Sequence, residues 1–528
     1  MNISASIRKL TLIFVALFIA LSAGLVYWQV VVAQQVTSNP HNSRVYLNSN
    51  IAVRGKIFDR NGVLLADWVP DGTGGYMRHY SDPSLAGLIG YYVPGFLPTG
   101  IEAKYDDYLS GRRGLTALDN TINKTLHRPP VGDDIYLTID ERIQKIADRD
   151  FDTPIPSDPG NVFPTNRGSA IITDPHTGEI LAMVSRPYYD PNQMVQTLSR
   201  HDLSYYNQES ADKDRPLIEK PIQEFYPPGS TYKTMTLIAG LDSRSTSLTD
   251  KFDEKQARGP IFYNGEKFGP IGNNIEWYTG GFPVTTDFGF SHSDNIIFAQ
   301  IGVKTGQATW LDYNKRFYVG QQIPFDLPVL PSQVLKNGQP LTDNQLAADA
   351  FGQGADVMTP MQMSLIDNAV ANDGNLMRPT LVQKVTDPNK TQIDKFDPQS
   401  LGQPMSGDTA NQVRQAMYGV ARCGSGSIVR PWVASPWGII GKTGTAQLSN
   451  DLTVPADAWL ITQAPYSITN PSQKPLLTIV GMRENGGEGG ADNGPMIAAM
   501  YNDIFTTVMK TTAPPPPSSA YCYSTGLL

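Results

Sequence analysis

The chain has 528 residues and a formal net charge of −8, with 40% hydrophobic and 17% charged residues. Domains commonly hold about 100–200 residues, so two or three are expected, and the composition is too apolar for a disordered chain. Six histidines and two cysteines exclude a Cys/His metal architecture and a disulfide scaffold, and with no Lys/Arg-rich stripe nucleic acid is not the main partner.

Leu10 to Ala33 runs for 24 residues without a charge and is preceded by Arg8 and Lys9. About 20 apolar residues span a bilayer, and basic residues favour the cytoplasmic flank. The run therefore predicts a transmembrane anchor over residues 10–33 behind a cytoplasmic stub, 1–9. It exceeds the roughly 7–15 apolar residues of a cleaved leader, although Val31-Val32-Ala33 leaves cleavage open. Either way the remaining chain is expected outside the cytoplasm.

Residues 34–135 are mixed and turn-rich. Asn61-Gly62 between apolar runs signals a hairpin, and the Arg and Asp residues around it read as a structural salt-bridge cluster. Ile135 to Ile139 predicts a strand, with Asp140 capping a helix from Glu141. Gly168 to Val184 predicts a second hairpin, turning at Pro175-His176-Thr177-Gly178. Residues 511–528 carry four consecutive prolines and are expected to form a semi-rigid tail outside any core.

Three short motifs carry chemistry. Tyr226-Pro227-Pro228-Gly229-Ser230-Thr231-Tyr232-Lys233 delivers Ser230 to the start of an apolar helix. Residues i and i+3 share a helix face, so the Ser230 hydroxyl can meet Lys233, which serves as a base if burial or a second cation lowers its pKa. Ser210-Ala211-Asp212-Lys213 has the same spacing in a polar setting and reads as a solvated loop, and Ser6-Ile7-Arg8-Lys9 lies in the stub. Ser293-Asp294-Asn295 precedes the apolar Ile296-Ile297-Phe298 and taken alone reads as a helix N-cap. Lys442-Thr443-Gly444-Thr445 sits on a predicted strand. Lys304-Thr305-Gly306 duplicates its first three residues but reads as a glycine helix stop. Pro436 stands where a phosphate-binding loop needs its first glycine, which rules that loop out.

The order S-x-x-K, S-x-N, K-T-G, at separations of 63 and 149 residues, is specific where each piece is not. By it the chain closely resembles the class B penicillin-binding proteins, membrane-anchored peptidoglycan D,D-transpeptidases. Arg54 to Ala66 is similar to the family's R-G-x-I-x-D-R-x-G-x-x-L-A signature, and Gly100-Ile101-Glu102 with Tyr105, Leu109 and Gly111 to its second N-terminal motif. Thr138-Ile139-Asp140, Gly352-Gln353-Gly354 and Thr359-Pro360-Met361-Gln362 are also family-like. Met361 stands where Leu is more usual, and Cys423 where Ser or Thr is commoner.

The resemblance implies a mixed α/β transpeptidase domain over 136–510, with a mainly antiparallel five-stranded sheet flanked by helices. It implies an elongated, strand-rich pedestal over 34–135. Ser230 would be the acylated nucleophile and Lys233 its base. Ser293 would relay a proton, Asn295 would hold Lys233 and the substrate amide, and Lys442 would supply a second positive charge. Thr443, Gly444 and Thr445 would bind the substrate carboxylate, with the Ser230 and Thr445 N–H groups as oxyanion donors. The implied partners are stem peptides ending in D-Ala-D-Ala, β-lactams, the membrane, and a membrane-embedded glycan polymerase of the shape, elongation, division and sporulation class. No metal or organic cofactor is expected. A D,D-carboxypeptidase and a non-catalytic β-lactam sensor remain as alternatives. A serine β-lactamase would be about half this length, and the pedestal region is too short for a glycosyltransferase. Whether Cys423 and Cys522 pair is left open.

Overall fold

A computed structural model describes residues 3–27, 53–72, 75–113, 116–117, 120–121, 131–152, 166–268, 281–335, 339–425, 435–448 and 454–514. The strands that frame it are β1 (Ile57–Phe58), β2 (Leu64–Pro70), β3 (Tyr76–Tyr80), β4 (Asp134–Leu137), β5 (Gly168–Thr173), β6 (Ile180–Arg186), β7 (Val382–Thr386), β8 (Gln392–Lys395), β9 (Ile440–Ala446), β10 (Asp457–Ala464) and β11 (Leu477–Arg483). The helices that matter for the site are α1 (Ile3–Val26), α2 (Glu141–Phe151), α3 (Lys233–Asp242), α4 (Asn295–Thr305), α5 (Asp343–Asp349), α6 (Pro360–Ala371), α7 (Gly407–Arg422) and α8 (Gly489–Asp503).

The catalytic half is built on a five-stranded sheet in the order β9-β10-β11-β5-β6, antiparallel throughout. This is the sheet that the resemblance implied. Every position of β5, β10 and β11 is buried, so these strands read as apolar runs without alternation. Helices α2 and α8 pack together against the sheet, as do α6 and α7. Because β11 is buried on both sides, the two pairs cover opposite faces. Asp140 caps α2 as expected, its carboxylate accepting from Arg142 N, and the predicted 168–184 hairpin is β5–β6.

The N-terminal sheet has the order β8-β7-β4-β1-β2-β3. Its β1–β2 hairpin turns at Asn61-Gly62 as predicted, with Asp59 Oδ1 accepting from Asn61 N at 2.8 Å and Val63 N at 2.7 Å. The expected salt-bridge cluster is present, but its centre is Glu102 from the second motif. Glu102 takes Arg54 Nε and Arg78 Nε on its two oxygens, each at 2.6 Å. Strands β7 and β8 come from inside the 136–510 segment, so the sheet crosses the expected boundary. The physical reason lies in β4, which pairs with β1 on one edge and with β7 on the other. Without β7 that second edge would be an open row of backbone donors and acceptors.

Two local expectations need correction, and the N-terminal one is only partly described. Helix α1 begins at Ile3, inside the segment read as a stub, and Trp28 to Ala33 of the predicted anchor lie outside the described residues. Among the described residues no helix is long and apolar enough to cross a membrane. Ser210 and Ala211 end a helix, Ser204–Ala211, instead of lying in a loop. Ala513 packs against the core, so the tail's first residues join it, while 515–528 lie outside the described residues. Cys423 is disulfide-bonded, and the chain's other cysteine, Cys522, lies outside the described residues.

Candidate active site

Ser230 sits on a 3-10 turn, Gly229–Tyr232, and α3 begins only at Lys233. The sequence pattern had placed Ser230 on the helix itself. In 3-10 geometry residues i and i+3 eclipse, which aligns Ser230 with Lys233 even more directly. The approach to the turn is fixed by β-bridge bonds between Tyr226 and Met358, N to O 3.0 and 2.8 Å, and by Trp459 Nε1 donating to Pro227 O at 2.9 Å.

Lys233 is fully buried, and its Nζ lies 2.7 Å from Ser230 Oγ, 2.6 Å from Asn295 Oδ1 and 3.1 Å from Ser293 O. Burial lowers its pKa to about 7, opposed by the negative charge of Asp294. A buried ammonium loses hydration that its neighbours only partly replace, so the neutral amine gains.

Ser293 has φ +60°, a left-handed conformation that few non-glycine residues adopt and that costs roughly 1–3 kcal/mol. It is not the N-cap of α4. That cap is Asp294, whose carboxylate accepts from Ile296 N and Ile297 N at 2.8 and 3.0 Å. With Asp294 committed to the helix, Ser293 is turned toward the lysines. Its Oγ lies 3.3 Å from Lys233 Nζ and 2.9 Å from Lys442 Nζ.

Lys442 comes from β9, the edge strand. Its Nζ donates to Thr443 O at 3.0 Å. Burial, then the neighbouring Lys233, pushes its pKa well below the usual lysine value. Thr443 Oγ1 is 2.9 Å from Ser425 Oγ, whereas Thr445 is exposed. Gly444 does not face open space. A β-carbon there would stand 2.8 Å from Thr231 Cγ2 and 3.1 Å from Thr231 N, so its bare Cα is what lets the Ser230 turn press against β9.

Ser230, Lys233, Ser293, Asn295 and Lys442 thus converge, although the last is 212 positions from the first in sequence. The duplicate Lys304 is elsewhere, at the end of α4, exposed and paired with Asp250 at 3.0 Å. Sequence reasoning missed Ser425, which braces Thr443, and gave no role to Gln353, whose Nε2 reaches Thr445 O at 3.4 Å. Ser425 carries no local signal. Gln353 lay inside a quoted motif, but only the fold brings it to the strand.

Known proteins match this arrangement. Residues 168–505 match the penicillin binding protein transpeptidase domain, and residues 54–135 the penicillin binding protein A dimerisation domain. The peptidoglycan D,D-transpeptidase PbpA of Mycolicibacterium smegmatis is 28% identical over 518 residues, covering 94% of this chain and 97% of that protein. Stage V sporulation protein D of Bacillus subtilis is 30% identical over 410 residues, 75% of this chain and 57% of that protein. Penicillin-binding protein A from M. tuberculosis, solved as a penicillin G acyl-enzyme complex, aligns with a TM-score of 0.73 at 26% identity, covering 85% of this chain and 99% of that one. With its transpeptidase domain matched over most of its length and its three motifs gathered around one serine, the chain belongs to the class B penicillin-binding proteins.

Proposed function

We propose that the protein is a peptidoglycan D,D-transpeptidase of bacterial cell-wall synthesis, working through a serine acyl-enzyme and inhibited by β-lactams that acylate the same serine. The observation that carries this reading is the set of bonds around one amine. A neutral Lys233 has two N–H donors and one lone pair. Asn295 Oδ1 and Ser293 O can only accept, so they take the two donors, and the lone pair is left for the Ser230 hydroxyl 2.7 Å away. That is the position of a general base on a nucleophile.

Ser230 Oγ attacks the carbonyl carbon of the penultimate D-Ala as its proton passes to Lys233. The peptide C–N bond then breaks, and Ser293, bridging the two lysines, relays a proton to the departing D-Ala amine. Oxyanion donors follow from strand geometry. Thr443 O and Thr445 O accept from Lys442 Nζ and Gln353 Nε2, so they point away from β10. A strand residue's N–H and C=O point the same way, so Thr445 N–H faces out from the sheet edge beside Ser230 N–H. Removing one such donor elsewhere costs roughly 3–4 kcal/mol. Lys442, Thr443 and Thr445 receive the substrate's terminal carboxylate. An amine from a second stem peptide attacks the acyl-enzyme, closes the cross-link and frees Ser230.

The uncharged run from Leu10 to Ala33 behind Arg8 and Lys9 supports a single-pass anchor, with the catalytic domain outside the cytoplasmic membrane. A membrane-embedded glycan polymerase of the shape, elongation, division and sporulation class is the proposed partner, by family resemblance. The test is incubation of the purified protein with a labelled β-lactam, then with stem peptide plus an amine acceptor. Stable labelling with cross-linked product supports transpeptidation. D-Ala release without cross-linking means carboxypeptidase, and rapid release of hydrolysed drug means β-lactamase.

A further inference from the structure

The Gly352-Gln353-Gly354 turn follows α5 and touches both arms of the cleft. A β-carbon on Gly352 would stand 1.9 Å from Gly229 O, and Gln353 Nε2 reaches Thr445 O. Two carboxyl groups hold the turn from behind. Asp349 Oδ1 accepts from Ala355 N at 2.6 Å, and Asp356 Oδ1 accepts from Gly354 N at 3.0 Å. Both side chains are sealed from solvent, at 1% and 2% exposure. Neither Oδ2 has a hydrogen-bond partner among the described residues, and the two carboxyl groups grip adjacent backbone N–H groups of one turn, each within reach of the other's charge. Two carboxylates buried side by side with neither Oδ2 stabilised cannot both stay ionised, so the pair holds a proton.

We propose that Asp349 and Asp356 are positioning residues for acylation, sharing one proton that locks the Gly352–Gly354 turn against Gly229 and Thr445 on either side of the oxyanion donors. The proposal rests on the acyl-enzyme reading above. The surroundings favour retention of that proton. Burial raises Asp349 to about 6, and burial followed by the Asp349 charge raises Asp356 well above the usual carboxyl range. From the packed 3-10 turn the titratable group facing the pair is Tyr232, itself pushed well above the usual phenol value by burial and then by the two acids. Tyr232 donates to Asn314, so it stays neutral and offers no compensating charge. When the shared proton leaves, two like charges face each other in an apolar site. The turn then separates, and the oxyanion donors lose their backing.

The experiment is the pH dependence of acylation by a fluorescent penicillin, using the full chain in detergent. Asp356→Asn keeps an acceptor for Gly354 N and gives a permanent donor to Asp349, and Asp349→Asn does the converse. The parent should lose about tenfold in acylation rate on the alkaline side, and each Asn variant should show that loss at least about one pH unit higher. Asp356→Ala should be about tenfold slower at every pH, with Asp356→Asn restoring the neutral-pH rate. Superimposable alkaline limbs in parent and Asn variants, or parental rates in Asp356→Ala, overturn the proposal. If the Ala variant fails to fold, the Asn profiles decide. A parent that labels at no pH sinks the acyl-enzyme reading and this proposal with it, a result distinct from unchanged limbs in a protein that labels.

Discussion

Lowering the pH from 7 to 5 should slow acylation of Ser230 by about 50-fold, and the magnitude follows from one side chain. Lys233 titrates at about 7 because burial removes the hydration of its ammonium. At pH 7 about half the molecules carry the neutral amine, and at pH 5 about one in a hundred do. A solvent-exposed lysine would be neutral in about one molecule in 3,000 at pH 7, so burial enlarges the competent population roughly 10³-fold. Protonation closes the mechanism because all three N–H groups of the ammonium are then donors and none is a lone pair. The assay is single-turnover labelling by a fluorescent penicillin at saturating and at low drug, read on a gel or by stopped flow between pH 5 and 8. The slope below pH 7 should approach one decade per unit in the acylation rate constant. A rate constant that is flat from pH 5 to 7 would refute Lys233 as the base and the assignment of its third bond to Ser230.

Further outcomes follow from the same contacts. Ser230→Ala should abolish covalent labelling without unfolding the domain, since only a hydroxyl is lost; an adduct on another serine in peptide mass spectra counts against the assignment. Lys442→Ala should cripple acylation while Lys304→Ala leaves it nearly unchanged, because only Lys442 reaches Ser293 and Lys304 pairs with Asp250 at the far end of α4; equal losses would mean that the wrong K-T-G was chosen. The penicilloyl-enzyme should persist for minutes or longer. The carboxylate next to Ser293, Asp294, is engaged by the α4 backbone, and losing an aligned water-activating base costs roughly 10²–10⁴-fold; turnover within seconds in a chase experiment would point to a β-lactamase. Glu102→Ala should cost about 3–5 kcal/mol, since it leaves Arg78 buried without its carboxylate and Arg54 with Asp106 alone; a melting temperature within a degree or two of the parent would contradict that.

The convergence of the site was legible because its chemistry needs residues that are unusual in combination. Serine three before lysine is common, and so is S-x-N, but their fixed order with K-T-G is not. Of the sheet, the β5–β6 hairpin and the strand of Lys442 were legible in the residues, and the rest was implied by the resemblance. Segments such as SAIIT, AWLIT and LTIVGM are apolar at nearly every position, which suits strands covered on both faces. What escaped was whatever depends on distant partners. The pairing of β4 with β7 joins residues about 250 apart, and no periodicity announces it. Glu102 was visible only as part of a motif, yet it pairs with both Arg54 and Arg78, one on each oxygen, while Asp106 also takes Arg54. The Ser293-Asp294-Asn295 triplet, read alone as a helix N-cap, did not say which residue caps α4, because Ser and Asp cap about equally well. In the structure Asp294 caps α4, and Ser293 takes φ +60°.

These departures from ordinary folding preference coincide with the site, and each costs stability. A lysine whose folded pKa falls from 10.5 to about 7 is disfavoured as a charged species by roughly 5 kcal/mol. Between those two values the unfolded chain binds the proton and the folded chain does not, so this residue makes folding less favourable as pH falls from about 10.5 to 7, with the full cost reached below 7. Lys442, buried beside it without a carboxylate partner among its bonds, adds a cost of the same sign. Ser293 in a left-handed conformation adds a little more. A fold selected only for stability would place apolar side chains at both lysine positions and a glycine at 293. The large buried sheet and the two helix layers offset the expense, and what the site gains is a base that is half neutral at pH 7. Moving Asn295 or Ser293 by a hydrogen-bond length would free an N–H of Lys233 to donate to the Ser230 oxygen in place of the lone pair, and the strained turn is held at both ends, by Asp294 on α4 and by Lys442 on β9.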